Sequence, residues 1–497
     1  MLRFVLPSLA LLVLACAAPQ IAAQTTATTA AAAPDTRGPR SVPAHAPQIA
    51  HAQGVVHING AAVPYDTEVA ENIVNDASGH PGAQVLTIAY LRNDARDTSH
   101  RPILFAFNGG PGASSSPLHM EAMGPMLRGH GDAGPVENAS SPLDAVDLVF
   151  IDPVSTGFSR PFDGVDPKQW YTFRGDALEV SGVIRAWLAA HHREASPRYL
   201  VGESYGTYRA GFILKYDPTL HFDGVALVSG GGTRTGPNAD EINEIAAMAA
   251  GAWFHNKIDR AGRSVEQFYA EARHFAQTDY AAALALGDAL PAAQKHAIAA
   301  RLSTYIGLPA DLIESHNLRL DRNTYMFNLL KDQGLRTGLL DSRATSALSP
   351  NAQGAIDDPA LGVTHAAPGA PPMTPAAIGP VPSPGVGAYL TNTLHYATDL
   401  VYFGVNFTAN SQWTWDRSEE TTAVIVARAL HADPHLRLMA VSGLYDLGGS
   451  DNSGFEQAGA PAGQLTLFQT PGPHQVYDGD DNRRVFNDAI RHFVAPH

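Results

Sequence analysis

Apolar positions recur along this chain in two rhythms. "GVVHI", from Gly54, and "QVLTIAYLR", from Gln84, alternate apolar and polar residues. That is the period of a half-buried strand, and the two are expected to form an antiparallel pair. Short unbroken apolar runs follow, each ending in small or polar residues: "ILFAFNGGPG", "DLVFIDPVSTG", "RYLVGES", "GVALVSGG", "RLMAVSGLYD" and "LTLFQTPGPH". A strand buried on both faces of a parallel sheet needs such a run. Between some of them the period lengthens. Ala177, Val180, Ile184, Trp187 and Leu188 share one face of a helix expected over Asp176 to His191. A second helix is expected from Tyr205 to Tyr216. Strand and helix alternate, so the class is α/β with a mostly parallel central sheet.

The alternation stops between Asn238 and Gln412. Helix formers dominate there first, in "EINEIAAMAAGAWF" and "YAAALALGDALPAAQKHAIAARL", and a Pro/Gly/Ala stretch over 351–387 reads as an irregular loop. The sheet rhythm resumes near Leu436. The reading is a core in two pieces, 51–237 and 413–497, interrupted by a largely helical insertion, or cap, over 238–412. Residues 24–50, rich in Ala, Thr and Pro, read as a disordered leader. Residues 1–23 carry one early charge, Arg3, then an apolar run too short to span a bilayer. They read as a secretory signal peptide, and the protein is expected to be exported, to a periplasm or the outside. Cys16 follows "VLA" directly, so a lipoprotein signal ending before Cys16, with that residue as the lipid anchor, stays open beside ordinary cleavage near Ala23. No later stretch is long and apolar enough to span a membrane.

Composition narrows the function. With 497 residues, 45% hydrophobic and 16% charged, the chain can bury a large core. A formal net charge of −15 argues against nucleic acid as a partner. Cys16 is the single cysteine, so no disulfide is available within the chain. Metal chemistry is not indicated. No His-Glu-x-x-His ligand pair occurs, "HHREAS" suits a helix end, and "DGDDN" lacks calcium-loop spacing. No cofactor is implied.

"VGESYG" places Ser204 between Gly202 and Gly206, after a strand and before a helix. Alone, a G-x-S-x-G pentapeptide is an ordinary turn. In the strand–turn–helix setting it is a nucleophile elbow, which lifts the serine clear at the carboxyl end of a sheet. Serine needs a base, and the base needs an orienting acid. Downstream, "RLMAVSGLYD" delivers Asp446 at one strand end and "LTLFQTPGPH" delivers His474 at the next. His435 precedes that acid's strand, His492 falls in the expected last helix, and Asp451 sits further from its strand end. The oxyanion pocket expects one backbone donor from Tyr205 and another from the Gly-rich loop "FAFNGGPGASSS". Trp413 and Trp415, in "SQWTWD", fit either a substrate pocket or one core and one surface face.

"NGGPGASSS", "VFIDPVSTGFS", "GESYG", "SGLYD" and "GPHQVY" occur in an order that resembles the serine carboxypeptidases of the α/β-hydrolase superfamily, in a bacterial-type form. The resemblance runs from about Gly54 to the C-terminus and is weakest in the insertion. It implies an α/β-hydrolase fold and hydrolysis of the last peptide bond through an acyl-enzyme, on peptides with a free C-terminus. Esterase or acyltransferase chemistry with the same triad is the alternative. Ser204, Asp446 and His474 match the family's triad, and Gly110 and Tyr205 its oxyanion donors. Asn108, Gly109 and Glu203 match the groups that hold the substrate carboxylate. Glu121, in "HMEAMGP", is the nearest counterpart of a second acid there, one residue out of step with the better-known members. An acid can bind a carboxylate only when protonated, so Glu203 is expected to be raised in pKa and activity to favour acidic pH. The family's usual cysteine after "NGGPG" is Ala113 here, and the histidine loop reads "PGPHQVY".

Overall fold

The computed structural model describes residues 41–129, 134–348, 358–361, 374, 378–449 and 451–495. The signal expected over 1–23, Cys16 and leader residues 24–40 lie outside the described residues, as does most of the loop expected over 351–387.

One mixed sheet organises the chain. Its strands are β1 (Ile49–Ile58), β2 (Ala61–Asn75), β3 (Pro81–Arg92), β4 (Ile103–Phe107), β5 (Asp147–Asp152), the short β6 (Arg160–Pro161), β7 (Arg198–Glu203), β8 (Gly224–Val228), β9 (Arg437–Gly443) and β10 (Leu465–Thr470). They lie in the order β1-β2-β3-β5-β4-β7-β8-β9-β10, with β6 paired to β3. From β5 to β10 along that path every pairing is parallel. β1, β2, β3 and β6 pair antiparallel, and so do β3 and β5.

The six unbroken apolar runs are the parallel strands, and their two faces feed two separate clusters. Leu104, Phe150, Val201, Ala226 and Val441 face one side with Phe486 and Ile490 of the last helix, Asp480–Val494. Phe105, Val149, Leu200, Leu227 and Ala440 face the other. On that second side lie α1 (Phe173–Ala190) and α2 (Tyr205–Tyr216). α1 starts three residues before the apolar stripe suggests, because the Thr172 side chain accepts from Gly175 N at 2.9 Å and caps the first turn. Trp187, on the predicted face of α1, is 1% exposed and meets Phe105 edge to face.

The expected pairing of "GVVHI" with "QVLTIAYLR" does not occur. Both are strands, but β2 lies between them and pairs with each. Asn59 and Gly60, at φ 49 and φ 82, form the two-residue turn that folds β2 back on β1. β2 hid in the sequence because polar groups fill core positions in it. Thr67 and Glu71 are buried, and the Glu71 carboxylate accepts from Tyr396 Oη at 2.6 Å. β1 begins at Ile49, inside the stretch read as leader, and Val42 is bridged to Phe162.

Between β8 and β9 the chain forms α3 (Ala239–Phe254), α4 (Val265–Phe275) and α5 (Ala292–Ile306), among shorter helices. Their apolar faces build a third cluster, which also takes in Leu444, Tyr445 and Leu447 just after β9. Further along, Tyr389, Leu390, Tyr396 and Tyr402 pack into the cluster on the first face of the sheet. Among the described residues no helix is long and apolar enough to cross a membrane.

Candidate active site

The strand order puts a switch point at the middle of the sheet. The chain leaving β4 returns to one side as β5, and the chain leaving β7 goes to the other side as β8. Crevices at the carboxyl ends of strands form where connections diverge in this way. The loop after β4 carries Asn108, Gly109 and Gly110; the turn after β7 carries Ser204.

Ser204 alone separates Glu203, the end of β7, from Tyr205, the start of α2. Its backbone sits at φ 59, ψ −125, a conformation that costs a non-glycine residue about 1–3 kcal/mol. Its amide donates to Val228 O at 2.8 Å. The neighbouring glycines follow from the tightness of the turn. A Cβ on Gly202 would stand 2.2 Å from Gly206 O, and one on Gly206 would stand 2.9 Å from Phe107 O. The Gly-rich loop approaches as closely, since a Cβ on Gly109 would lie 2.3 Å from Tyr205 N. Gly110, at φ 98, turns the loop in a conformation that favours glycine. Gly110 and the Tyr205 amide are therefore brought to the same rim.

Asp446 and His474 meet across the ends of β9 and β10. A Cβ on Gly443 would fall 1.9 Å from Pro473 O, so only glycine lets the two loops cross. His474 Nδ1 and Asp446 Oδ2 are 2.8 Å apart. The acid is fully buried, and its Oδ1 accepts from Gly448 N at 2.7 Å. The histidine backbone is held on both sides: its N donates to Leu340 O at 2.7 Å, and its O accepts from Ser229 Oγ at 2.6 Å. Burial works against the imidazolium, but the charge and hydrogen bond of Asp446, with the charges of Glu203 and Asp358, prevail and raise the His474 pKa to about 9. Among the described residues Ser204 Oγ and His474 Nε2 share no hydrogen bond. Such contacts are commonly long before substrate binds.

A carboxylic acid cluster lies beside the serine. Glu203 is 3% exposed, and its pKa is raised to about 7. Burial is the main cause and the Glu121 charge adds to it, against the opposing pull of His474, Tyr477 and Asn108. Tyr477 Oη donates to Glu203 Oε2 at 2.6 Å. Glu121 sits in a π-helical turn, Leu118–Met123, and burial raises its pKa too. Arg128 at 3.1 Å and Gln475 at 3.3 Å offset that. Asn108 uses its side-chain oxygen to accept from Leu118 N at 3.1 Å, which leaves its amide nitrogen for the Glu203 side.

All of the sequence-predicted site residues in the described region therefore lie on these few converging loops. Sequence reasoning missed Tyr477, Arg128, Gln475 and Ser229. Tyr477 and Gln475 stood within the quoted "GPHQVY", where burial next to an acid has no signature in letters. Of the alternative residues, His492 lies in the last helix with its Nδ1 2.7 Å from Asp488 O, and His435 is exposed. Trp413 is half-buried and Trp415 is 49% exposed, one toward the core and one toward the surface. Among the described residues no cluster of His, Cys, Asp and Glu could hold a metal ion.

Residues 89–214, from β3 through α2, match the family model of the serine carboxypeptidases. Among solved structures, a prohormone-processing carboxypeptidase from Saccharomyces cerevisiae is similar at TM-score 0.51 and 15% identity, over 88% of this chain and 90% of that one. A peroxisomal alpha-beta-hydrolase from the same yeast gives TM-score 0.36 and 10% identity, over 91% of each chain. A proline iminopeptidase from Mycobacterium smegmatis gives 0.33 and 11%, over 85% of this chain and 98% of that one. No curated protein sequence matches. The likeness to the first of these bears on the fold, and the family match spans both the Asn108 loop and the Ser204 elbow. The chain thus has the fold of the α/β hydrolases, and its residues 89–214 are similar to the serine carboxypeptidase family.

Proposed function

We propose that this enzyme removes C-terminal residues from peptides through an acyl-enzyme on Ser204. His474 takes the Ser204 proton as Oγ attacks the last peptide carbonyl, and later returns it to the leaving amine. Asp446 fixes the imidazole tautomer and stabilises its charge. The Gly110 and Tyr205 amides receive the developing oxyanion. Water then attacks the acyl-enzyme with His474 again as base.

The observation that carries the carboxypeptidase reading is Glu203, a buried acid beside the nucleophile with its pKa raised to about 7. When protonated it donates to the substrate's terminal carboxylate, with Asn108, Gly109 and Glu121 completing the clamp. A cleft lined by Tyr208, Gly231, Gly448 and Gly449 opens beside the loop of Asp446 and supports binding of the acyl side of the substrate. The helical insertion over 238–412 is the segment proposed to set side-chain preference. Export, expected from the signal-like residues 1–23, is part of the same proposal.

A peptide pair tests the reading, one member with a free C-terminus and one amidated. The free acid is expected to be cut at least ~100-fold faster in kcat/KM, since a carboxylate held by charge-assisted hydrogen bonds is worth a few kcal/mol. Equal rates on the pair would favour general esterase or acyltransferase chemistry. Ser204→Ala should bind peptide and turn nothing over; retained turnover would remove Ser204 from the mechanism.

A further inference from the structure

Beneath the Gly-rich loop lies a buried ion pair that the chemistry above does not use. Arg209, on α2 four residues after Tyr205, is 1% exposed, and Asp176, on α1, is 1% exposed. Arg209 Nε donates to both Asp176 oxygens, at 3.0 and 2.9 Å, and Nη2 donates to Oδ1 at 2.9 Å. The remaining arm leaves the pair: Nη1 donates to Asn108 O at 2.6 Å. The guanidinium lies against the rings of Phe107 and Tyr205, 5.2 and 5.4 Å from their centroids. Tyr205 Oη donates to Asp176 Oδ2 at 3.1 Å. One ion pair thus grips the loop that bears Gly110 and the residue that supplies the other backbone amide.

Burying two charges is a poor way to gain stability, because desolvation can exceed the attraction gained. It is an effective way to fix geometry, since a bidentate fork tolerates little displacement. The nearby Glu179 attracts the Arg209 charge but spends its hydrogen bond elsewhere. Its Oε1 accepts from Val154 N at 2.7 Å, and burial first, then the Asp176 charge, pushes its pKa up to about 8.

We propose that Asp176 and Arg209 are positioning residues that set the spacing between the two halves of the oxyanion pocket, the loop after β4 and the first turn of α2. This rests on the reading of Gly110 and Tyr205 as donors. Without Nη1, the Asn108 carbonyl loses its anchor and the peptide planes that follow it are free to tilt. A displacement of ~1 Å at a catalytic group can cost ~100-fold in rate.

Arg209→Lys tests this, because it keeps the cation but loses the fork. Asp176→Asn, which keeps the shape and a partner for Tyr205, serves where lysine leaves too little folded protein. Competent sites are counted by stoichiometric reaction with a serine-directed phosphonate, and folding is followed by thermal melting. The expected result, per titrated site, is a ~10- to 100-fold fall in kcat with KM within ~2-fold, the pattern of an interaction made in the transition state. Affinity for a peptide boronic acid, which mimics the tetrahedral adduct, should fall in parallel with kcat/KM. An unchanged kcat per site with a lowered melting temperature would make the pair a stability element and overturn the inference. A raised KM at constant kcat would also overturn it. Ser204→Ala separates the two levels: if it keeps turnover, the nucleophile reading fails first; if it abolishes turnover while Arg209→Lys keeps kcat, only the positioning role fails.

Discussion

Glu203→Gln separates the two titrations on which the clamp depends. Glu203 and His474 influence each other, with values of about 7 and about 9. Below the lower value both carry a proton and the base is blocked. Between them the pair holds one proton, and the form that reacts is the one with that proton on Glu203 and a neutral imidazole. Above the upper value the clamp has lost its proton for good. For a free-acid peptide, kcat/KM is therefore expected to rise up to about pH 7, level off, and fall about tenfold per pH unit above about 9. This moves the window upward from the acidic optimum that Glu203 alone suggests, because Asp446 and Glu203 together hold the histidine proton. Glutamine still accepts from Tyr477 and still donates to a carboxylate, but it cannot ionise. In the variant the alkaline fall should vanish. The acid limb should move to higher pH, between about 7 and about 9, because it then follows the imidazole alone, whose pKa drops on losing the Glu203 charge but stays above the step at which the wild-type pair loses its first proton. The assay is kcat/KM between pH 5 and 10 on a blocked dipeptide, with the matching amide as control. Parallel profiles for wild type and variant, or a wild type with no fall up to pH 10, would refute the protonated clamp.

Asp446→Asn should leave KM nearly unchanged and lower kcat by roughly 10⁴, the scale seen when a triad acid stops fixing the imidazole tautomer; pre-steady-state acylation kinetics would check it, and a loss under tenfold would count against the triad. Gly109→Ala forces a methyl to within 2.3 Å of Tyr205 N, so both the melting temperature and kcat should drop; a variant with wild-type kcat would show that the loop is freer than its contacts imply. Trp187→Ala, at 1% exposure between α1 and the sheet, should cost about 3–5 kcal/mol in urea unfolding and leave kcat per folded molecule unchanged.

The parallel core was legible because its six strands are apolar on both faces, and α2 was legible to the residue. β2 was not, because Thr67 and Glu71 occupy inward positions and erase the alternation, although the Asn59-Gly60 turn was present to signal a hairpin. The triad candidates were legible because each stands at the end of an apolar run, where small residues interrupt it. Tyr477 and Arg209 were not, because what gives each its role is a partner far off in the chain: Glu203 and Asp176. Ion pairs and buried hydrogen bonds of that kind leave no period or spacing behind.

The histidine is tethered from outside the sheet. Its amide rests on the carbonyl of Leu340, and Leu340 N is in turn fixed at 2.8 Å by the buried carboxylate of Asp358. Exchanging the long segment between β8 and β9 for that of a relative, to re-aim selectivity, would also replace the strut that steadies the proton carrier. A chimera made that way has to retain those two positions, or it will confuse altered taste for substrate with a loosened catalyst.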